Sequence, residues 1–120
     1  MKLIGSMLTS GDVIQLDLGV PEDREAGFRH PAVVVTAQRI LDAQPKVIQV
    51  VPLTSTVRGF AAEVTIEPDG DNGLRHTSVA QCQHIRAVST RRVDQAIGNI
   101  GPAAVTQIRD TLVLILDVPG

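Results

Sequence analysis

Arg29 and His30 stand immediately before Pro31, and Ala32–Val35 is an unbroken apolar run. Further along, Val50-Val51-Pro52-Leu53 leads into three consecutive hydroxyl residues, Thr54-Ser55-Thr56. A guanidinium stays protonated at physiological pH and can clamp an anion. An imidazole, with an ordinary pKa near ~6.5, exchanges protons at neutrality. Hydroxyls donate hydrogen bonds to phosphate oxygens. Together the three groups suit acid–base chemistry at a phosphate. Solvated loop residues are the plain alternative, and spacing alone does not separate the two.

Short strands must position these groups. After Gly11-Asp12, Ile14, Leu16 and Leu18 alternate with Val13, Gln15 and Asp17, the period of a half-buried strand. Gly19–Gly27 is polar, contains Pro21, and reads as a loop. Pro31–Ala37 and Val47–Leu53 read as buried strands, the first opened by a proline where a missing N–H costs least. Val57–Phe60 is a short turn, and Glu63–Glu67 is a strand with Val64 and Ile66 inward. Asp69-Gly70-Asp71-Asn72-Gly73 is the strongest turn signal in the chain. Ser78–Cys82 and Ile85–Val88 read as strands, and Ser89–Ile97 as a shorter helix.

Gly101-Pro102 opens a C-terminal helix with Val105, Ile108, Leu112 and Ile115 on one face. Val113, Leu114 and Leu116 make its last turn apolar all round, which calls for cover by the core or by another subunit. The expected fold is mainly β with α, a small antiparallel barrel or sandwich with a C-terminal helix. In such a sheet the start of one strand lies beside the end of its neighbour. Arg29-His30 and Thr54 can thus converge at one end.

Composition narrows the function classes. The 120 residues suit one domain, 7–120, with Met1–Ser6 read as an expression scar or disordered N-terminus. Cys82 is the single cysteine, which excludes an internal disulfide and points to the reducing cytoplasm. No apolar run is long enough to span a bilayer, so no membrane partner is expected. A net charge of −2 is unlike a general nucleic-acid coat, so phosphate binding would need a local arginine patch. Tryptophan and tyrosine are absent, leaving Phe28 and Phe60 as the aromatic residues. Backbone and arginine contacts should therefore outweigh stacking on any RNA.

His30, His76, His84 and Cys82 lack the paired spacing of a zinc site, and no HExxH, phosphate loop or nucleophile elbow occurs. No metal or cofactor is expected. Asp12, Asp17 and Glu25 could supply a carboxylate pair, but nothing in the sequence sets their separation.

Five stretches in order, "GDVIQLDL", "EAGFRHPAVVVTA", "VVPLTST", "GL…SVAQCQHIRAV" and "GPAAVTQIRDTLVLILDV", resemble successive blocks of the MazF/PemK (Kid) toxin family. The resemblance spans nearly all of Gly11–Val118. It implies a PemK-like barrel related to the SH3 barrel, a homodimer, and neutralisation by a MazE-like antitoxin. It further implies a metal-independent, sequence-selective endoribonuclease acting on single-stranded RNA: mRNA, with rRNA and tRNA as alternatives.

In that family an arginine before the strand-opening proline and a threonine or serine after the "VP" strand form the active site. The second matches Thr54. The first is ambiguous, because the order here is Arg29-His30-Pro31: counting back from Pro31 selects His30, and aligning on Ala26-Gly27 selects Arg29. Neighbours on an extended strand point to opposite sides, so without a bulge both cannot enter one pocket. Arg29 would stabilise charge, and His30 would move a proton or position substrate. Ser55, Arg58 and Arg86 are expected RNA contacts, and Glu25 matches an acidic loop position able to orient Arg29. The loops Gly19–Gly27 and Val57–Ala62 would set the recognised RNA sequence. A gyrase poison like CcdB, which shares the barrel, and a catalytically inactive barrel acting as a binding partner are the competing readings.

Overall fold

The computed structural model describes residues 8–17 and 29–119. Glu25, the Gly19–Gly27 loop and the Met1–Ser6 segment lie outside the described residues. The described elements are β1 (Asp12–Asp17), β2 (Arg29–Val34), a one-turn helix α1 (Gln38–Leu41), β3 (Val47–Thr54), β4 (Glu63–Ile66), β5 (Ser78–Gln81), β6 (Arg86–Ser89), β7 (Val93–Asn99) and α2 (Pro102–Leu116). Every strand pairing is antiparallel. The order is β4-β5-β3-β2-β1-β7, with β6 also on β3.

β3 holds this sheet together. One edge bonds β2, with Ala32 opposite Pro52 and Val33 opposite Val51. The other edge is shared: Val47–Val50 pair with β6, and Leu53–Thr54 pair with β5.

The apolar pattern of the central strands is continuous because both faces are covered. Val13, Val33, Val51 and Leu53 face one core, with Val64, Ile66 and the buried side of α2 (Val105, Ile108, Leu112). Ile14, Leu16, Ala32, Val34, Ile48 and Val50 face a second core, closed by Leu8, Leu41, Val88 and Val93. Within β1, β2 and β3, buried residues of odd number face the first core and buried residues of even number the second, as strand geometry requires.

One expectation needs revision, and one alternative is narrowed. Ser89–Ile97 is not a helix: a 3-10 turn at Thr90–Arg92 leads into strand β7. The outer edge of β1 carries backbone donors and acceptors that need partners, and Val93–Asn99 supplies them. Register shifts at Val13/Ile14 and Gln15/Leu16 fit the two strands together. The apolar end of α2 is not covered by this chain's own core, since Leu114 is 80% and Leu116 60% exposed. Among the described residues, no helix is long and apolar enough to cross a membrane.

The Asp69–Gly73 turn is docked rather than free. Asn72 is buried; its Nδ2 donates to the Glu67 carbonyl (2.8 Å), and its Oδ1 accepts from the Leu74 N–H (3.0 Å). The Asn99 N–H of β7 donates to the Asp71 carbonyl (2.9 Å). Glycine is required on both sides of this contact. A Cβ on Gly98 would lie 2.3 Å from the Asn72 carbonyl carbon, and one on Gly73 2.3 Å from the Ile97 oxygen. Asn72→Ala removes the turn's buried hydrogen bonds and should cost about 1–3 kcal/mol. Ile108→Ala, at the centre of the α2 contact, should cost about 2–5 kcal/mol. Urea unfolding of each variant measures both losses.

Candidate active site

The end of β3 and the start of β2 meet at one end of the sheet. His30 stands two residues before Ala32 and Thr54 two residues after its partner Pro52, while on the other edge of β2 Leu16 lies opposite His30 and Asp17 opposite Arg29. His30 and Thr54 both line an open cleft of about 550 Å³. Ser55 and Gln15 border it, while Gly73, Leu74, Arg75 and His76 of the β4–β5 loop form another part of its wall. His30 also lines an adjoining cavity of about 380 Å³ with Leu16, Pro52, Gln81, His84 and Arg86.

Arg29 goes elsewhere. Its Nη1 lies 3.3 Å from Asp17 and its Nε 3.4 Å from Asp94. It is not among the residues lining either cavity. Adjacent strand residues project to opposite faces, and here one serves carboxylates and the other the cleft.

Burial, and then the positive charge of Arg86, hold the His30 pKa below its ordinary 6.5. The imidazole is therefore neutral at neutral pH and able to accept a proton. Thr54 Oγ1 accepts the Thr56 N–H at 3.2 Å, a bond that orients the hydroxyl and leaves its hydrogen to donate to a ligand.

Of the other expected contacts, Arg58 pairs with Glu63 (2.9 Å), and its guanidinium lies over the Phe60 ring, 4.9 Å from the centroid. Glu63 is held below the usual carboxylate range by the Gln83 hydrogen bond first, then by Arg58 and Gln81, against the opposing effect of burial. Arg86 lines the smaller cavity. The proposed orientation of Arg29 by Glu25 falls outside the described residues.

Arg75 and His76 were missed as cleft residues from sequence. Their signal was the dipeptide itself, a second Arg-His beside Arg29-His30. Among the described residues no group of three or more His, Cys, Asp or Glu side chains could hold a metal. Burial and the Glu63 charge push the Cys82 thiol up to about 11, so it is not a nucleophile at neutral pH.

The antiparallel sheet with its C-terminal helix has counterparts in known proteins. The chain belongs to the family of PemK-like, MazF-like toxins of type II toxin–antitoxin systems, whose sequence profile matches residues 9–116. It is 31% identical over 116 residues to the endoribonuclease MazF9 of Mycobacterium tuberculosis (strain ATCC 25618 / H37Rv), covering 93% of this chain and 98% of that protein. Its fold matches a MazE–MazF crystal structure from Deinococcus radiodurans with a TM-score of 0.75 at 22% identity, over 93% of this chain and 97% of the other. A mycobacterial endoribonuclease solved with its cognate antitoxin matches with a TM-score of 0.75 at 22% identity, over 94% and 98%.

The Arg29 ion pairs are half-exposed, so they contribute little to stability. Arg29→Gln should lower unfolding free energy by less than about 1 kcal/mol in urea titration.

Proposed function

We propose that this toxin is an endoribonuclease that cuts single-stranded RNA without a metal ion. The observation that carries the reading is that His30 and Thr54 line one open cleft, which also presents Arg75 and His76. The endoribonuclease relative supports the same reaction class.

In this mechanism the neutral His30 imidazole takes the proton of a ribose 2′-OH. The 2′ oxygen attacks the adjacent phosphorus, the P–O5′ bond breaks, and the departing 5′ oxygen takes a proton from water. The products are a 2′,3′-cyclic phosphate and a 5′-OH. Thr54 donates to a non-bridging oxygen, and Arg75 with Arg86 stabilises the charged phosphorane. Arg29 pairs with Asp17 and Asp94 rather than touching phosphate. Ser55 contacts the RNA backbone, and Arg58 contacts RNA from the loop after it.

The toxin acts as a homodimer in the cytoplasm, the apolar end of α2 meeting a second copy. A MazE-like antitoxin neutralises it by covering the RNA site. Leu114→Arg on the exposed helix end should shift sedimentation toward monomer.

Incubation of a long mixed-sequence RNA in excess EDTA, followed by sequencing of the new ends, tests the activity. Discrete cuts are expected. Thr54→Ala and His30→Ala should each lose on the order of 10²-fold or more in rate, and Arg29→Ala less than about tenfold. Loss of cutting in Arg29→Ala with full activity in His30→Ala would reverse the assignment. Intact RNA, together with gyrase inhibition that survives Thr54→Ala, would replace the reading with a gyrase poison. Because the base form of His30 is the active one and its pKa is lowered, the acid-side fall of kcat/KM should lie at lower pH than an ordinary histidine would give. His30→Ala should abolish that acid limb.

A further inference from the structure

The loop between β3 and β4 carries Phe60 into solvent, 53% exposed. A single exposed apolar side chain is ordinary on a protein surface. Phe60, however, is braced. The Arg58 guanidinium lies over its ring at 4.9 Å, within cation–π range. The same guanidinium is fixed by Glu63 at 2.9 Å, and the Glu63 side chain is only 2% exposed. Gln83 Nε2 donates to that carboxylate at 2.8 Å. The backbone turn is closed as well, the Glu63 N–H donating to the Phe60 carbonyl at 3.1 Å.

A ring used only as filler would be covered. This one has a cation above one face and a large exposed area elsewhere, and its surroundings are ordered before any ligand arrives. Such preorganisation reduces the entropy lost on binding. A flat π surface beside a positive charge matches a nucleobase joined to its phosphate, since bases stack on both aromatic and guanidinium planes. An aliphatic docking partner would gain nothing from the guanidinium.

Position agrees with chemistry. Phe60 follows Thr54 by so few residues that even a fully extended chain would separate them by at most about 20 Å. Glu63, at the anchored end of the loop, pairs across the sheet with Gln81, which lines the cavity beside His30.

We propose that Phe60, braced by Arg58 and Glu63, is the stacking platform for one nucleobase of bound RNA, a few nucleotides from the cut, and thereby helps to select the RNA sequence. This proposal rests on the endoribonuclease reading above.

The test uses an RNA found to be cut in the EDTA assay. A 2′-deoxy sugar at the cut removes the attacking hydroxyl, and 2-aminopurine is placed at successive positions. The wild-type protein should quench fluorescence strongly at one position near the cut. Phe60→Leu should lose that quenching and bind about tenfold more weakly, while Phe60→Tyr should retain both. On the cleavable RNA, Phe60→Leu should raise KM with kcat nearly unchanged. Equal quenching by wild type and Phe60→Leu at every position overturns the proposal while leaving the nuclease reading intact. Unchanged RNA binding with weakened antitoxin binding also overturns it, and makes the stack a protein-docking feature. A wild-type protein that cuts no RNA removes both readings together.

Discussion

The pairing of β3 on both of its edges is the constraint on which the rest depends. One eight-residue strand bonds β2 on one side and is divided between β6 and β5 on the other. A slip of one residue against any of these neighbours would turn Ile48 and Val50 out of their core and bring polar Gln49 in. The same slip would rotate Thr54 away from His30. Register is thus held by burial along the length of β3, and the cleft at its end inherits that precision.

Charge is distributed with the same economy. Arg29 is bound to Asp17 and Asp94, and Arg58 to Glu63. Arg75 and Arg86 line the two cavities that flank His30. A chain of net charge −2 can in this way present a local positive field without being basic overall. The field also tunes the imidazole, since Arg86 adds to the effect of burial in keeping His30 neutral.

Much of this architecture is written in short-range pattern. Alternation around Val13–Leu16, the apolar runs at Ala32–Val35 and Val47–Leu53, and the Gly101-Pro102 helix start each report local geometry. What escaped is governed by distant partners. Val93–Asn99 contains residues comfortable in a helix and is a strand because β1 has an edge to fill. Arg75 and His76 reach the cleft because the preceding turn rests against Gly98, a contact no local window contains. The Arg29-His30 ambiguity has the same origin. Composition permits either residue at the cleft, and the register with β1 sets Arg29 beside Asp17 and His30 beside Leu16. Glu25 remains outside the described residues.

Cys82 carries a consequence of a different kind. It is fully buried in the core beneath α2, and its thiol is held in the protonated form. Oxidants attack the thiolate, and they need access to it. As the single cysteine of the chain, Cys82 offers peroxide or disulfide exchange no accessible thiolate. It should therefore stay reduced under oxidative stress for as long as the fold is intact. Redox control acting through this thiol would first require the core beneath α2 to open.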